Sequence, residues 1–89
     1  LAFDLRDVAA AEAAVREAGE LDVLVNNGGL ALGLGRVHEA DLTDWETMIA
    51  TNCAALARLT RWVTPGMVAR KRGHVVNIGS VAALWWACR

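Results

Sequence analysis

Several residues of this chain have the types and spacing that could do chemistry. Ser80 closes the apolar run "HVVNIG", where a strand would present its hydroxyl at a rim. No histidine or acid lies near it in a hydrolase triad pattern, and "NIGSV" lacks the second glycine of a nucleophile elbow. A hydroxyl that donates to a substrate oxygen fits better than a nucleophile. Asn52 stands among apolar residues, seven after Trp45 and four before Leu56. A buried amide there needs partners. It is either bonded to neighbouring backbone or water as structure, or it holds a water or backbone group beside an active site. "NNGG", Asn26 to Gly29, has the same two sides. Asn-Gly pairs are ordinary turn residues. The same small residues also let a cofactor approach the backbone closely.

Gly29, Gly33 and Gly35 imitate a dinucleotide phosphate loop. That loop works because a helix begins within it and turns its first amides to the phosphate. Here the first strong helix signal comes only at Thr43, and Glu39 and Asp41 in between would repel phosphate. His38 and His74 have no Cys/His cluster beside them, so no metal site is expected. Cys53 and Cys88 form neither a disulfide framework nor a ligand spacing, and are expected as free thiols in a reducing, cytoplasmic setting.

The elements that must position these residues alternate. "LAF" reads as the end of a strand. Asp7 caps a helix through about Ala18, with Gly19 as its stop. "LDVLV" at 21–25 is nearly all apolar, the signature of a parallel strand covered on both faces. Thr43 and Glu46 form a capping box for a long helix. Its apolar stripe runs through Trp45, Met48, Ile49, Asn52, Leu56, Leu59, Val63 and Met67. Pro65 should kink or end that helix. The cluster Arg70, Lys71 and Arg72 suits the negative end of a helix dipole. A second strand follows at 74–78. The expected fold class is α/β, a β-α-β-α-β portion of a Rossmann-like, doubly wound parallel sheet. Asp4, Asn26, Asn27 and Ser80 would share the rim at the carboxyl ends of the strands, where such sheets bind ligands.

Composition narrows the classes. With 89 residues the chain holds one small domain at most. At 55% hydrophobic and 21% charged it is neither disordered nor fibrous. A net charge of −1 argues against a nucleic-acid partner. No apolar run reaches the roughly 18–20 residues of a membrane span, and "LAFDLRD" lacks a secretion pattern. There is no tyrosine.

Together the motifs resemble the short-chain dehydrogenase/reductase family, over nearly the whole chain. "FDLRD" is similar to the segment after that family's third strand, whose aspartate meets the adenine ring, here Asp4 with Leu5 beside it. "LVNNGG" resembles its Asn-Asn-Ala-Gly motif, Asn26, Asn27, Gly28 and Gly29, with Gly28 in place of alanine and clearance kept. "ATNCAAL" resembles the helix with the catalytic-site asparagine, here Asn52, with Ala55 where glycine is frequent. "GHVVNIGS" resembles the fifth strand with the catalytic serine, here Ser80. Four such motifs in order are specific. The wording is nearest the branch that acts on 3-hydroxy acids such as serine, with NADP.

The resemblance implies a nicotinamide cofactor, NADP or NAD with NADP favoured, and hydride transfer at a carbonyl or hydroxyl carbon. It implies that Ser80 donates to the oxygen gaining charge, that Asn52 helps hold a water in a proton relay, and that a tyrosine activated by lysine exchanges the proton. It also implies a homo-oligomer joined through the helix from about Thr43. The Tyr-x-x-x-Lys motif should follow Ser80 by about a dozen residues, but the chain stops first. The glycine loop and first two strands are missing, Ala83 replaces a usual glycine, and "LWWACR" departs from the pattern. Residues 1–89 are therefore expected to be the central part of one dinucleotide-binding domain, incomplete at both ends and inactive alone. The alternative is a non-catalytic interaction module that docks through the long helix, with Trp62, Trp85 and Trp86 as anchors.

Overall fold

The computed structural model describes residues 3–30, 32 and 36–79. In chain order these form α1 (Val8–Ala18), β1 (Val23–Asn26), a short 3-10 turn (Val37–Glu39), α2 (Leu42–Ile49), a π-helical turn (Ala50–Ala54), α3 (Ala55–Arg70) and β2 (His74–Asn77). The two strands pair in parallel, with Val23 opposite His74 and Asn26 opposite Asn77. This is the expected α/β pattern of parallel strands joined by helices. The expected opening strand falls on Leu1 and Ala2, which lie outside the described residues, and on Phe3, which is irregular.

α1 forms where its sequence directs. The Asp7 carboxylate accepts from the Ala10 N–H at 3.0 Å, satisfying one of the free amides of the first turn. Ala11 and Ala14 are buried, and their small side chains let α1 lie close to α3. Gly19 ends the helix at φ 69°, a conformation that costs glycine little, and its N–H bonds the Arg16 carbonyl.

The second helical region departs from the expected pattern in three ways. First, its cap is Asp41, whose carboxylate accepts from Thr43 N–H at 2.8 Å, so α2 starts at Leu42 and Thr43 is already helical. Aspartate two residues earlier competes with threonine for the cap and brings negative charge to the positive end of the dipole. Second, Ala50–Ala54 winds as a π turn. Its extra residue rotates everything after it, so Thr51 and Ala55 are buried in line with Val63 and Met67, while Ile49 and Asn52 are exposed. A stripe counted at uniform α spacing puts Asn52 inward; the π turn gives that place to Thr51. Third, α3 passes Pro65 and runs to Arg70. The buried Val63 and Met67 flank the proline and hold the helix through it.

The basic cluster at the end of α3 is a latch rather than only a solvated end. Lys71 takes the left-handed conformation, φ 56°, and its N–H bonds Val68 O at 3.1 Å. Arg70 Nη2 donates to Leu21 O at 2.6 Å, and Arg72 Nη2 pairs with Asp22 at 3.2 Å. Both tie the helix end to the residues that lead into β1. Gly73 then passes so close to the buried Met67 that an added Cβ would sit 2.6 Å from its Cβ and Sδ.

Among the described residues, β1 is not covered on both faces. Leu24 is partly covered and Asn26 is buried, whereas Val23 and Val25 are 53% and 54% exposed. The alternation shows one face against α3 and the other open among the described residues.

Candidate active site

The carboxyl ends of β1 and β2 place Asn26 and Asn77 side by side. Asn26 Nδ2 donates to Asn77 Oδ1 at 2.9 Å and to Thr60 Oγ1 of α3 at 3.2 Å. The Thr60 hydroxyl donates in turn to Leu56 O at 2.8 Å. One amide thus joins both strands and the helix that crosses between them. Asn26 is 7% exposed, and its Oδ1 is buried without a protein partner among the described residues.

Asn27, Gly28, Gly29 and Leu30 continue from that edge as an irregular loop. Asn52 holds the far end of it. Its Oδ1 accepts from Leu30 N–H at 2.9 Å and its Nδ2 donates to Leu30 O at 2.8 Å. The amide is satisfied by backbone, which both of its expected roles allow. Gly29 lies directly under this contact: a Cβ there would come 3.0 Å from Asn52 Oδ1.

Leu5 folds over Gly28, and a Cβ at position 28 would collide with Leu5 Cδ1. The expected clearance at Gly28 is therefore filled by Leu5. Arg58 of α3 reaches Leu5 O through Nη2 at 3.4 Å. Asp4 stands beside it, exposed, and accepts from Arg6 N at 2.8 Å, Nη2 at 2.9 Å and Nε at 3.2 Å. The side-chain hydrogen bond from Arg6, followed by the bond from its backbone, holds the Asp4 carboxyl below the usual carboxylate range.

Leu5, Asn26, Asn27 and Gly28 line one small cavity of about 90 Å³ together with Thr51 and Leu56. Thr51 is 7% exposed, and its Oγ1 is also buried without a protein partner among the described residues. A larger cavity of about 380 Å³ lies at the opposite end of the sheet, against Met67, Lys71, Arg72 and His74, away from these groups. Among the described residues no three or more His, Cys, Asp or Glu side chains gather as a metal site.

Six of the expected site residues, Leu5, Asn26, Asn27, Gly28, Gly29 and Asn52, thus meet at the carboxyl edge, with Asp4 adjoining through Leu5. Ser80 lies outside the described residues, as do Gly33 and Gly35. Thr51, Thr60 and Asn77 join the site without having been singled out. Asn77 had a legible signal: "LVN" and "VVN" end both strands in the same way. Thr51 did not, because its burial depends on the π turn.

The family model described as short chain dehydrogenase matches residues 1–86. The chain belongs to that family. Among curated proteins it is 61% identical over 66 residues to the NADP-dependent 3-hydroxy acid dehydrogenase YdfG of Salmonella typhi, covering 74% of this chain and 27% of that protein. It is 50% identical over 87 residues to the protein of the same name from Escherichia coli O6:H1, covering 93% of this chain and 35% of that one. The closed form of serine dehydrogenase complexed with NADP+ superposes with a TM-score of 0.87 at 48% identity, over 97% of this chain and 36% of that chain. The chain spans about a third of the length of such relatives, 27% and 35% for these two curated ones.

Proposed function

We propose that these residues are the central part of an NADP-dependent dehydrogenase of 3-hydroxy acids. The observation that carries this reading is the paired bond of Asn52 to Leu30, which fixes a glycine loop whose Gly28 adjoins a cavity at the carboxyl edge. The names and NADP complexes of the similar proteins supply the cofactor and the substrate class.

The residues present fit a dinucleotide. Leu5, folded over Gly28, offers an apolar surface beside the small cavity that Asn26, Asn27 and Gly28 line. Asp4, Leu5, Asn26, Asn27, Gly28 and Gly29 would hold NADP, which when bound accepts or delivers the hydride. Asn52 keeps the loop in place and leaves the helix backbone at the π turn free to hold a water. Ser80 donates a hydrogen bond to the substrate oxygen where charge builds. No tyrosine occurs in the 89 residues; in this reading the proton is exchanged by a tyrosine outside them, and these residues alone turn over no substrate.

The whole protein acts as a soluble cytoplasmic homo-oligomer in this reading, without nucleic acid or membrane. Among the described residues no helix is long and apolar enough to cross a membrane. Leu42, Ile49 and Val68 expose apolar surface on α2 and α3 that a second subunit can cover.

The test is an NADP-linked assay of the full-length protein with serine and other 3-hydroxy acids, alongside the Asn52→Ala variant. Oxidation with NADP that falls at least tenfold in the variant is expected. Absence of turnover with every 3-hydroxy acid, while NADP still binds, would remove the substrate class.

A further inference from the structure

The cavity beneath the asparagine-glycine loop contains a pair of polar atoms that the cofactor reading does not explain. Asn26 Oδ1 and Thr51 Oγ1 are both buried, both belong to residues 7% exposed, and neither meets a hydrogen-bonding group of the described residues. Buried polar atoms are almost always paired, with ordered water where protein does not serve. Both residues line the same space of about 90 Å³, well above the roughly 10–15 Å³ that a water requires.

The surrounding bonds fix which atom of Asn26 is left over. The Thr60 hydroxyl spends its proton on Leu56 O, so toward Asn26 it can only accept. The Asn26 amino group must therefore face Thr60, and its oxygen is the unpaired atom. Thr51 is left over for a different reason. Thr47 and Thr60 each donate to the carbonyl four residues back, Thr43 O and Leu56 O. Thr51, inside the π turn, makes no such bond.

We propose that Thr51 Oγ1 and Asn26 Oδ1 are bridged by a resident water in this cavity, which makes Thr51 a positioning residue for the loop 26–30. The water donates one proton to Asn26 Oδ1 and uses its other groups with the Thr51 hydroxyl, which can donate or accept. Consecutive residues of the π turn then hold the two ends of one loop: Asn52 grips Leu30 directly, and Thr51 grips Asn26 through water. The inference concerns the protein without cofactor and stands whichever substrate the enzyme takes.

A high-resolution structure of the full-length protein without cofactor tests it first. A water within hydrogen-bond distance of both atoms is expected. A dry cavity, a direct Thr51–Asn26 bond, or protein partners for both atoms would overturn the proposal. Thr51→Val keeps the shape and removes the hydroxyl, and Thr51→Ser keeps the hydroxyl. Amide exchange at Gly28, Gly29 and Leu30 should rise roughly fivefold to tenfold in Thr51→Val, as for loss of one hydrogen bond. It should return to the wild-type rate in Thr51→Ser, while amides of α1 stay unchanged in both. Unchanged loop exchange in Thr51→Val, or a Thr51→Ser variant that behaves like Thr51→Val, would show that the hydroxyl does not hold the loop. If Thr51→Val does not fold, the water in the wild-type structure and the exchange rates of Thr51→Ser decide.

Discussion

Asn26 and Asn77 are register partners at the ends of the two parallel strands, and a 2.9 Å hydrogen bond joins their side chains. The backbone repeats the link one residue on, where Ile78 N–H donates to Asn26 O at 3.0 Å. Replacing Asn26 by leucine leaves Asn77 Oδ1, on an exposed residue, and Thr60 Oγ1, on a half-buried one, without their donor. We expect a loss of about 2–3 kcal/mol in stability, measured by urea unfolding of the full-length protein. A change below about 0.5 kcal/mol would show that water replaces the amide at both acceptors.

Asn52 and Leu30 give a pH-dependent variant. Asn52→Asp retains an acceptor for Leu30 N–H but sets a carboxylate oxygen against Leu30 O. At neutral pH the two oxygens repel and the loop loosens. Protonation supplies the missing donor, so the contact re-forms on acidification, and the folded-state pKa of the new carboxyl lies above the usual range. The Leu30 amide chemical shift should move toward its wild-type value as pH falls through that pKa. A shift independent of pH would contradict the paired geometry.

Asp4 behaves in the opposite sense. Its carboxyl is held below the usual range, first by the side-chain hydrogen bond from Arg6. The Asp4–Arg6 contact therefore contributes above the unfolded-state pKa of the aspartate and is lost as pH falls through the lower folded-state value. Arg6→Gln should raise the Asp4 pKa toward the ordinary value, as read by carboxyl-carbon NMR titration. An unmoved pKa would mean that Arg6 does not set it.

Gly73 tests packing at the far end of the sheet. An added Cβ would lie 2.6 Å from Cβ and Sδ of Met67, which is 6% exposed. Gly73→Ala should cost about 1–3 kcal/mol through overpacking. Gly73→Ala combined with Met67→Ala should cost less than the sum of the single changes, because the overlap with Sδ goes while only that with the Met67 Cβ stays. Strict additivity in a thermal-unfolding cycle would place the cost elsewhere.

Much of this arrangement is legible in the residues. Asp7 and Gly19 mark both ends of α1, and the apolar runs mark both strands, because caps and β-branched runs act locally. The asparagines at 26 and 52 stand out because amides among apolar residues require partners. What Asn52 bonds is not legible, since Leu30 lies on a loop with no periodicity of its own. The burial of Thr51 and the exposure of Asn52 escape a reading that assumes 3.6 residues per turn across a π turn. The cap at Asp41 escapes because Thr43 and Glu46 form a second, equally well-formed signal next to it. The open face at Val23 and Val25 is equally invisible: an apolar run states that a strand can be covered, and only the packing shows what covers it.

The π turn has a further consequence for how this helical region tolerates change. Removing any one residue from Ala50–Ala54 would let the backbone relax into an unbroken α-helix, with its hydrogen bonds complete. Such a deletion would look harmless to the helix. The two flanks would keep their phase, because the π turn is where the extra residue is absorbed, but Thr51 and Asn52 would lose the wider turn from which they serve opposite ends of the loop at once. The site therefore depends on a surplus residue, and a shortened chain would be folded and regular but without this paired grip on its loop.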